Sequence, residues 1–539
     1  MPSNSVLGQT IPPGDVHAVS VSLPSWEATL GWASRNPVVL KQMNNGYPRF
    51  FVHHLVTKLS RVIVDKFGES SQEALVFPTH DIAERCQAYL HDHARDSSVR
   101  VVCVSAKLAD GDKESHTIPW TNLHAVSFHP DNVKVARQFW QHTGEGVSSR
   151  QAEYCLRIAD SFVQDCASHV CTVSSSNVPL SIIAPVSSDA TAEKENIRKR
   201  IAGLISVEDN PVTTHDVFLY CSGMMAISDL YRALIHSGPY AKGKFVAYGF
   251  LYVDSFKIMD RFAPKDAILY GHASTEELDD LETRLEGGEK VTAVFCEVPG
   301  NPLLITPDME RLRALADKYE FVLVCDDTVG TFVNVNVLPY VDVVVTSLTK
   351  LFSGTCNVMG GSVVVNPKSK HHDRVHDSLT HLHRDIYFPL DAEQMWKNSD
   401  NFHERVQATN RNAQAVAERL ATHPRVAKVY YPSLSPTKHL YDVCRRPGGG
   451  YSYLVTILFK LPAEAVAFFD ALDVARGPSL GTNFCLSCPY TLFGHYNELE
   501  WVAQFGIDEY LVRISVGAEP QDEVMKKIEV ALEAMPKVS

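Results

Sequence analysis

Beyond about residue 215 the chain alternates short, continuously apolar runs with amphipathic stretches. Val217-Phe-Leu-Tyr, Lys244-Phe-Val-Ala-Tyr, Val291-Thr-Ala-Val-Phe-Cys-Glu, Phe321-Val-Leu-Val-Cys-Asp, Val343-Val-Val-Thr and Gly361-Ser-Val-Val-Val all read as strands. Between them, Ser222 to Ile235 carries apolar residues at helical spacing, and Thr275 to Leu285 reads as an acidic helix. Thr306 to Tyr319 reads as a helix opened by Thr-Pro-Asp, a good start signal. Strands that are apolar at every position and separated by helices predict a mainly parallel sheet covered on both faces. In such sheets ligands sit beyond the carboxyl ends of the strands.

The flanking regions are patterned differently. Before Pro185 the order is mixed, with strand-like Ala74-Leu-Val-Phe and Val99-Arg-Val-Val-Cys-Val around a helical Asp81 to Ala94. A polar stretch, Ser187 to Glu195, reads as a loop or linker. After a long polar and helical stretch from Asn366 to His423, strands at Val426, Tyr451 to Phe459 and Leu511 to Val516 mix with helices at Ala463 to Leu472 and Gln521 to Met535, an α+β unit. The expected division is an N-terminal extension and arm region over 1–195, a ligand-binding large domain over 196–390 and a small C-terminal domain over 391–539.

Composition narrows the function classes. The 539 residues exceed one ordinary core. The formal charge of −13 argues against a nucleic-acid partner. No apolar run is long enough to span a bilayer, and Met1-Pro-Ser-Asn-Ser-Val has neither the basic nor the apolar part of a secretory signal. The 12 cysteines are scattered, several inside apolar runs, and read as buried thiols of a reducing compartment. A cytoplasmic metabolic enzyme is the expectation.

The candidate chemistry lies at the strand tips. Asp326 ends one buried strand and Lys350 follows the next. A carboxylate and an amine at adjacent strand ends are what pyridoxal phosphate chemistry requires, the lysine to form a Schiff base and the acid to hold the pyridine nitrogen protonated. Cys221-Ser-Gly-Met-Met opens a helix directly after a strand, a ready anion site in which Gly223 lets a phosphate approach the backbone and Ser222 can donate. Ser347 and Thr349 flank the lysine, Tyr248 and Tyr252 follow another strand end, and Asn301 sits in the turn Glu297-Val-Pro-Gly-Asn-Pro. Arg513 is a charge in an apolar strand. It needs a partner, either an internal acid or a substrate carboxylate.

Taken together, Ser-Leu-Thr-Lys350, Cys-Asp326-Asp-Thr, Glu297-x-Pro-x-Asn-Pro, Ser222-Gly-Met, Gly477-Pro-Ser-Leu-Gly and Arg513-x-Ser-Val-Gly-x-Glu519 resemble the Cys/Met-metabolism PLP-dependent enzymes, and within them the fungal cystathionine γ-synthases. The resemblance is strong over about residues 200–539 and patchy before that. It implies the type I, aspartate aminotransferase-like fold and a pyridoxal 5′-phosphate cofactor. It gives Lys350 the Schiff base and proton transfer, Asp326 the pyridinium and Tyr252 the ring stack. Ser222, Gly223, Met224, Ser347 and Thr349 would hold the phosphate, Asn301 the cofactor or substrate, and Arg513 with Ser479 the substrate carboxylate. It also implies γ-replacement on an O-acyl-L-homoserine, with cysteine as nucleophile or, alternatively, a β-keto acid enolate. A non-catalytic regulatory relative is the third reading, against which the Lys350–Asp326 pair stands.

Relatives in this family carry a Tyr-x-Arg segment that reaches the neighbouring subunit's phosphate, so a homodimer or homotetramer is expected. Tyr47 and Arg49 match by residue type, and Arg150 is the rival. Cys485-Leu-Ser-Cys488 has metal-ligand spacing but neither a second such pair nor a nearby pair of histidines to complete four ligands, and the histidines between His371 and His383 read as a polar helical or loop region beside the active site, so no metal is expected.

Overall fold

The computed structural model describes residues 6–48, 50–110, 113–164, 186, 189–236, 243–262 and 267–536. Its centre is a seven-stranded sheet in the order Ile268–Tyr270, Lys244–Tyr248, Val291–Glu297, Val322–Asp326, Val343–Thr346, Gly361–Val365, Val217–Tyr220. The first five run parallel, and only Gly361–Val365 runs against its neighbours. The continuous apolar runs follow from burial on both faces. Val322 and Val324 enter one hydrophobic cluster, whereas Leu323 and Cys325 enter the other, as the period-two alternation of a strand dictates. Helix Gly223–His236 is buried along almost its whole length against this sheet.

Helix starts follow their local chemistry. The Asp308 side chain accepts from the Arg311 N–H and opens Met309–Tyr319, and Ser274 with Glu277 forms a reciprocal cap on Thr275–Glu286. The loop reading of Ser187 to Glu195 is corrected: residues 191–195 form the first turn of a helix, Thr191–Ile205. Its polar start hides a buried stripe of Ile197, Ile201, Ala202 and Ile205 further on.

Two further sheets flank the centre. The C-terminal one orders Val426–Tyr430, Leu454–Phe459, Val512–Ser515, Leu486–Pro489 and Ala475–Arg476, and the long helix Phe402–Ala421 packs on it. The N-terminal one orders Glu73–Phe77, Leu123–Phe128, Arg100–Asp110 and Lys113–Thr117, with Phe162–Gln164 also paired to Arg100–Asp110. Helix Val133–Thr143 joins it to helix Gly223–His236.

The described residues between 6 and 48 run along the C-terminal sheet. The Leu23 N–H donates to the Arg476 carbonyl, Ser20 Oγ donates to Pro478, and Trp26 stacks on Tyr510. That path delivers Tyr47 to the carboxyl edge of the central sheet. Among the described residues, no helix is long and apolar enough to cross a membrane.

Candidate active site

The carboxyl ends of the central strands open into a cavity of about 210 Å³ that contains both Asp326 and Lys350. Parallel register sets Asp326 beside Glu297 on one side and Val345 on the other. Lys350 is 8% exposed, and its Nζ donates to Tyr47 Oη at 2.6 Å and to Ser479 Oγ at 3.2 Å. The ammonium also lies 4.5 Å from the centre of the Tyr47 ring. Burial raises the pKa of Asp326, against the hydrogen bonds of Thr328 and the charge of Lys350. A cation brought to this carboxyl would restore its ionised form.

Glu297 supports the floor of the site. Burial, and then the charge of Asp326, push its carboxyl well above the carboxylate range. One oxygen accepts from the Tyr252 N–H at 2.5 Å and the other from the Asn301 N–H at 3.1 Å, so a single side chain fixes both backbone positions.

Arg513 points into the same cavity. It is 7% exposed and donates to Asn301 Oδ1 at 3.0 Å, to the Ser479 carbonyl at 2.8 Å and to Cys488 Sγ at 3.5 Å. Among the described residues no carboxylate forms an ion pair with it. The internal-acid alternative raised from the sequence is therefore set aside. Ser479 holds φ at +93°, a region L-residues rarely adopt, which costs about 1–3 kcal/mol. That conformation lets its carbonyl face Arg513 while its hydroxyl faces Lys350.

The anion cradle is built by close backbone approach. A Cβ on Gly223 would lie 2.7 Å from Ser347 Cβ, so only glycine lets the helix start and the Ser347 loop meet. Gly223, Met224 and Ser347 line the cavity. Ser222 and Thr349 lie there too, but their hydroxyls have structural work. Ser222 Oγ donates to Gly144 and accepts from the Met225 N–H, and Thr349 Oγ1 bridges the carbonyl and N–H of Gly360.

Tyr252 lines the cavity, whereas Tyr248 is a core residue whose hydroxyl donates to Ser274. Two residues beyond Tyr252, Asp254 is fully buried. It accepts from Gln141 Nε2 at 3.3 Å and lies 3.4 Å from His142 Nδ1, which ties the Tyr252 segment to the helix Val133–Thr143. Burial raises the Asp254 carboxyl from 3.8 to about 7. Its folded pKa is thus above its unfolded value, so the folded state keeps a proton that the unfolded state loses between about pH 4 and 7. Relative to Asp254→Asn, the natural chain is expected to lose stability as pH rises through that window, by about 4 kcal/mol in all. Parallel denaturant titrations of the two proteins at pH 4.5 and 8 measure the difference.

Of the arm candidates, Tyr47 reaches Lys350 of its own chain, and Arg49 lies outside the described residues. Arg150 is also in the cavity wall, where it donates to the Asn357 carbonyl at 2.8 Å and pairs with Asp391 at 3.0 Å. Sequence reasoning missed Glu297, Asp254, Tyr490 and His495. Glu297 stood inside a quoted motif, and its strand-end position beside Asp326 was the available signal. The other three depend on contacts made only in the folded chain. The cysteine pair and histidine cluster play other parts: Cys485 packs on Glu519 and Gly517, and His376 stacks on His215 at 4.2 Å. Among the described residues, no group of three or more His, Cys, Asp or Glu could hold a metal ion.

Residues 193–533 match the family model described as Cys/Met metabolism PLP-dependent enzyme, and residues 55–148 match that described as fungal trans-sulfuration enzyme, N-terminal domain. The chain belongs to the Cys/Met metabolism PLP-dependent enzyme family. It is 37% identical to cystathionine gamma-synthase of Neurospora crassa over 98% of each chain. It is 38% identical to a cystathionine gamma-synthase-like protein of Aspergillus thermomutatus, over 98% of this chain and 94% of that one. The crystal structure of cystathionine gamma synthase from Xanthomonas oryzae pv. oryzae, in complex with aminoacrylate and cysteine, matches with a TM-score of 0.55 at 22% identity. It covers 65% of this chain and 87% of that one. That likeness shows the fold, the type I fold of PLP enzymes that the family resemblance implied.

The residues present fit the cofactor of this family. A buried acid with a raised pKa stands ready for a protonated ring nitrogen, an amine lies in the same cavity, and a glycine-built cradle suits a phosphate.

Proposed function

We propose that this Cys/Met metabolism PLP-dependent enzyme catalyses γ-replacement on an O-acyl-L-homoserine, with the cysteine thiol as nucleophile and cystathionine as product. The observation that supports it most is the buried guanidinium of Arg513, unneutralised by any carboxylate among the described residues and sharing one cavity with Lys350. Such a group is a receptor for an amino-acid carboxylate. Pyridoxal phosphate, when bound, supplies an electron sink that acidifies the α-hydrogen of an amino acid and assists departure of a γ-substituent.

The chain's own residues supply the rest. Gly223, Met224 and Ser347 would hold the phosphate, Asp326 the ring nitrogen and Tyr252 the ring face. Arg513 and Asn301 would orient the substrate so that its α- and β-hydrogens face Lys350 Nζ, which removes them as a general base. The Tyr47 hydroxyl and Ser479 hydroxyl on that nitrogen hold it in place between transfers. The acyloxy group leaves Cγ with its bonding electrons, and the thiol sulfur forms the new bond there.

Cysteine is favoured by the likeness over nearly the whole chain to cystathionine gamma-synthase of Neurospora crassa, whose name gives cystathionine as the product. A β-keto acid enolate is the second reading, favoured by aromatic walls such as Phe50, Phe493 and Trp140. Incubating the loaded protein and O-acetyl-L-homoserine with cysteine or with acetoacetate separates them. Cystathionine is the expected product, and a carbon adduct without cystathionine overturns the choice of nucleophile. We also take the assembly to be a homodimer or homotetramer, which sedimentation of the loaded protein measures.

A further inference from the structure

We propose that Tyr490, His495 and Glu498 form a proton relay that deprotonates the incoming nucleophile, with Tyr490 and His495 as catalytic residues and Glu498 as the positioning residue. The proposal deepens the γ-replacement reading and rests on it. Lys350 and Arg513 account for the amino-acid half of that reaction, but neither activates the second reactant. Among the described residues lining the cavity, Tyr490 and His495 form a hydrogen-bonded set able to do so.

Tyr490 and His495 both line the cavity, although Tyr490 is only 8% exposed and His495 only 1%. Antiparallel register places Cys488 opposite Arg513, and the chain beyond that strand lays the Tyr490 ring 5.0 Å from the Arg513 guanidinium. Tyr490 Oη and His495 Nε2 are 3.3 Å apart. On the other side of the imidazole, Nδ1 lies 2.8 Å from Glu498 Oε1, and Glu498 is itself 3.5 Å from Lys257 Nζ.

The chemistry of these partners fixes the proton positions. Burial raises the Glu498 carboxyl, but the His495 hydrogen bond and the charge of Lys257 outweigh it and hold the group below the ordinary range. An ionised carboxylate only accepts, so Nδ1 carries the proton and Nε2 of the neutral ring is the basic atom. This carboxylate–imidazole–hydroxyl order is that of a nucleophile-activating triad.

In the proposed step the nucleophile gives its proton to Tyr490 Oη as Tyr490 passes its own to His495 Nε2. The electron pair left on the nucleophile forms the bond to Cγ. The imidazolium, stabilised by Glu498, later returns that proton to water. Ester plus thiol thus gives thioether plus carboxylate and one proton. Among the described residues, the charged and titratable groups around the imidazole include Glu498, Lys257, Tyr490 and, behind Tyr490, Arg513. The charges of Lys257 and Glu498 also act on the buried Asp254 carboxyl. Phe250 and Trp501 pack against the imidazole as aromatic neighbours.

The test uses the full-length, cofactor-loaded protein, O-acetyl-L-homoserine and whichever of cysteine or acetoacetate the wild type accepts. Acetate release counts all turnover, and replacement product against 2-oxobutanoate gives the partition between capture and elimination. In His495→Gln and Tyr490→Phe the partition toward replacement is expected to fall at least about tenfold at pH 7. The acid limb of kcat/KM for the nucleophile should disappear with it, as the basic nitrogen is no longer available. Tyr490→Phe keeps the ring on Arg513, so it decides the matter if His495→Gln does not fold. A partition and acid limb within twofold of wild type in the folded variants overturn the relay alone. A wild type that releases no acetate overturns the γ-replacement reading and the relay with it.

Discussion

Replacing Lys350 by alanine is expected to lower turnover of an O-acyl-L-homoserine by about 10⁴-fold or more and to remove the visible colour of the loaded protein. The magnitude follows from the number of tasks assigned to one nitrogen. A positioned acid or base is worth about 10²–10⁴-fold, and here the same amine would serve both the α- and the β-hydrogen as well as anchor the cofactor covalently. No other amine is so placed: among the described residues lining the cavity, Lys350 is the only lysine. Its Nζ is also confined by two hydroxyls, Tyr47 at 2.6 Å and Ser479 at 3.2 Å, so water entering an alanine cavity would have acceptors but no comparable base. Spectra of the reconstituted variant from 350 to 450 nm, with acetate release as the rate assay, test both parts. A variant that keeps its colour and more than about a hundredth of wild-type turnover would remove Lys350 from the chemistry.

What could be read from the chain alone depended on whether a signal was local. The strand tips were legible because a strand buried on both faces must be apolar throughout, so a charge marks its end; Asp326 and the lysine after Val343–Thr346 stood out for that reason. Gly223 was legible because a glycine between strand and helix serves a close approach, here to Ser347. The residues that escaped are those defined by partners far away in sequence. Asp254 looks like an ordinary helix-start acid until it meets Gln141, 113 residues earlier. Tyr490 and His495 sit in a stretch with no charge pattern, and the pairing of Leu486–Pro489 with Val512–Ser515 brings Tyr490 to Arg513 and His495 in behind it. The hydroxyls of Ser222 and Thr349 show the converse: the residue types suited a phosphate, but each is engaged by a backbone group a few ångströms away.

Arg513→Ala is expected to reduce kcat/KM for the O-acyl-L-homoserine by about 10³-fold, chiefly through KM. Removing one partner of a buried ion pair costs about 3–5 kcal/mol, and each 1.4 kcal/mol is tenfold. That range applies here because the guanidinium is 7% exposed and its protein partners, Asn301 Oδ1, the Ser479 carbonyl and Cys488, are all neutral. Among the described residues no carboxylate pairs with it, so a substrate carboxylate would supply its counter-charge. Arg513→Lys should recover part of the loss, since it restores a charge but not the planar fork that grips both carboxylate oxygens. A purely structural role would lower activity too, so the decisive measurement varies the ligand. The α-carboxamide analogue of the ester should be a far poorer substrate than the acid for the wild type, by about 10²–10³-fold, yet nearly equal to it for Arg513→Ala. If the variant still discriminates acid from amide as strongly as the wild type does, the carboxylate is held by another group. Arg150, the second guanidinium in the cavity wall, would then be the residue to change next.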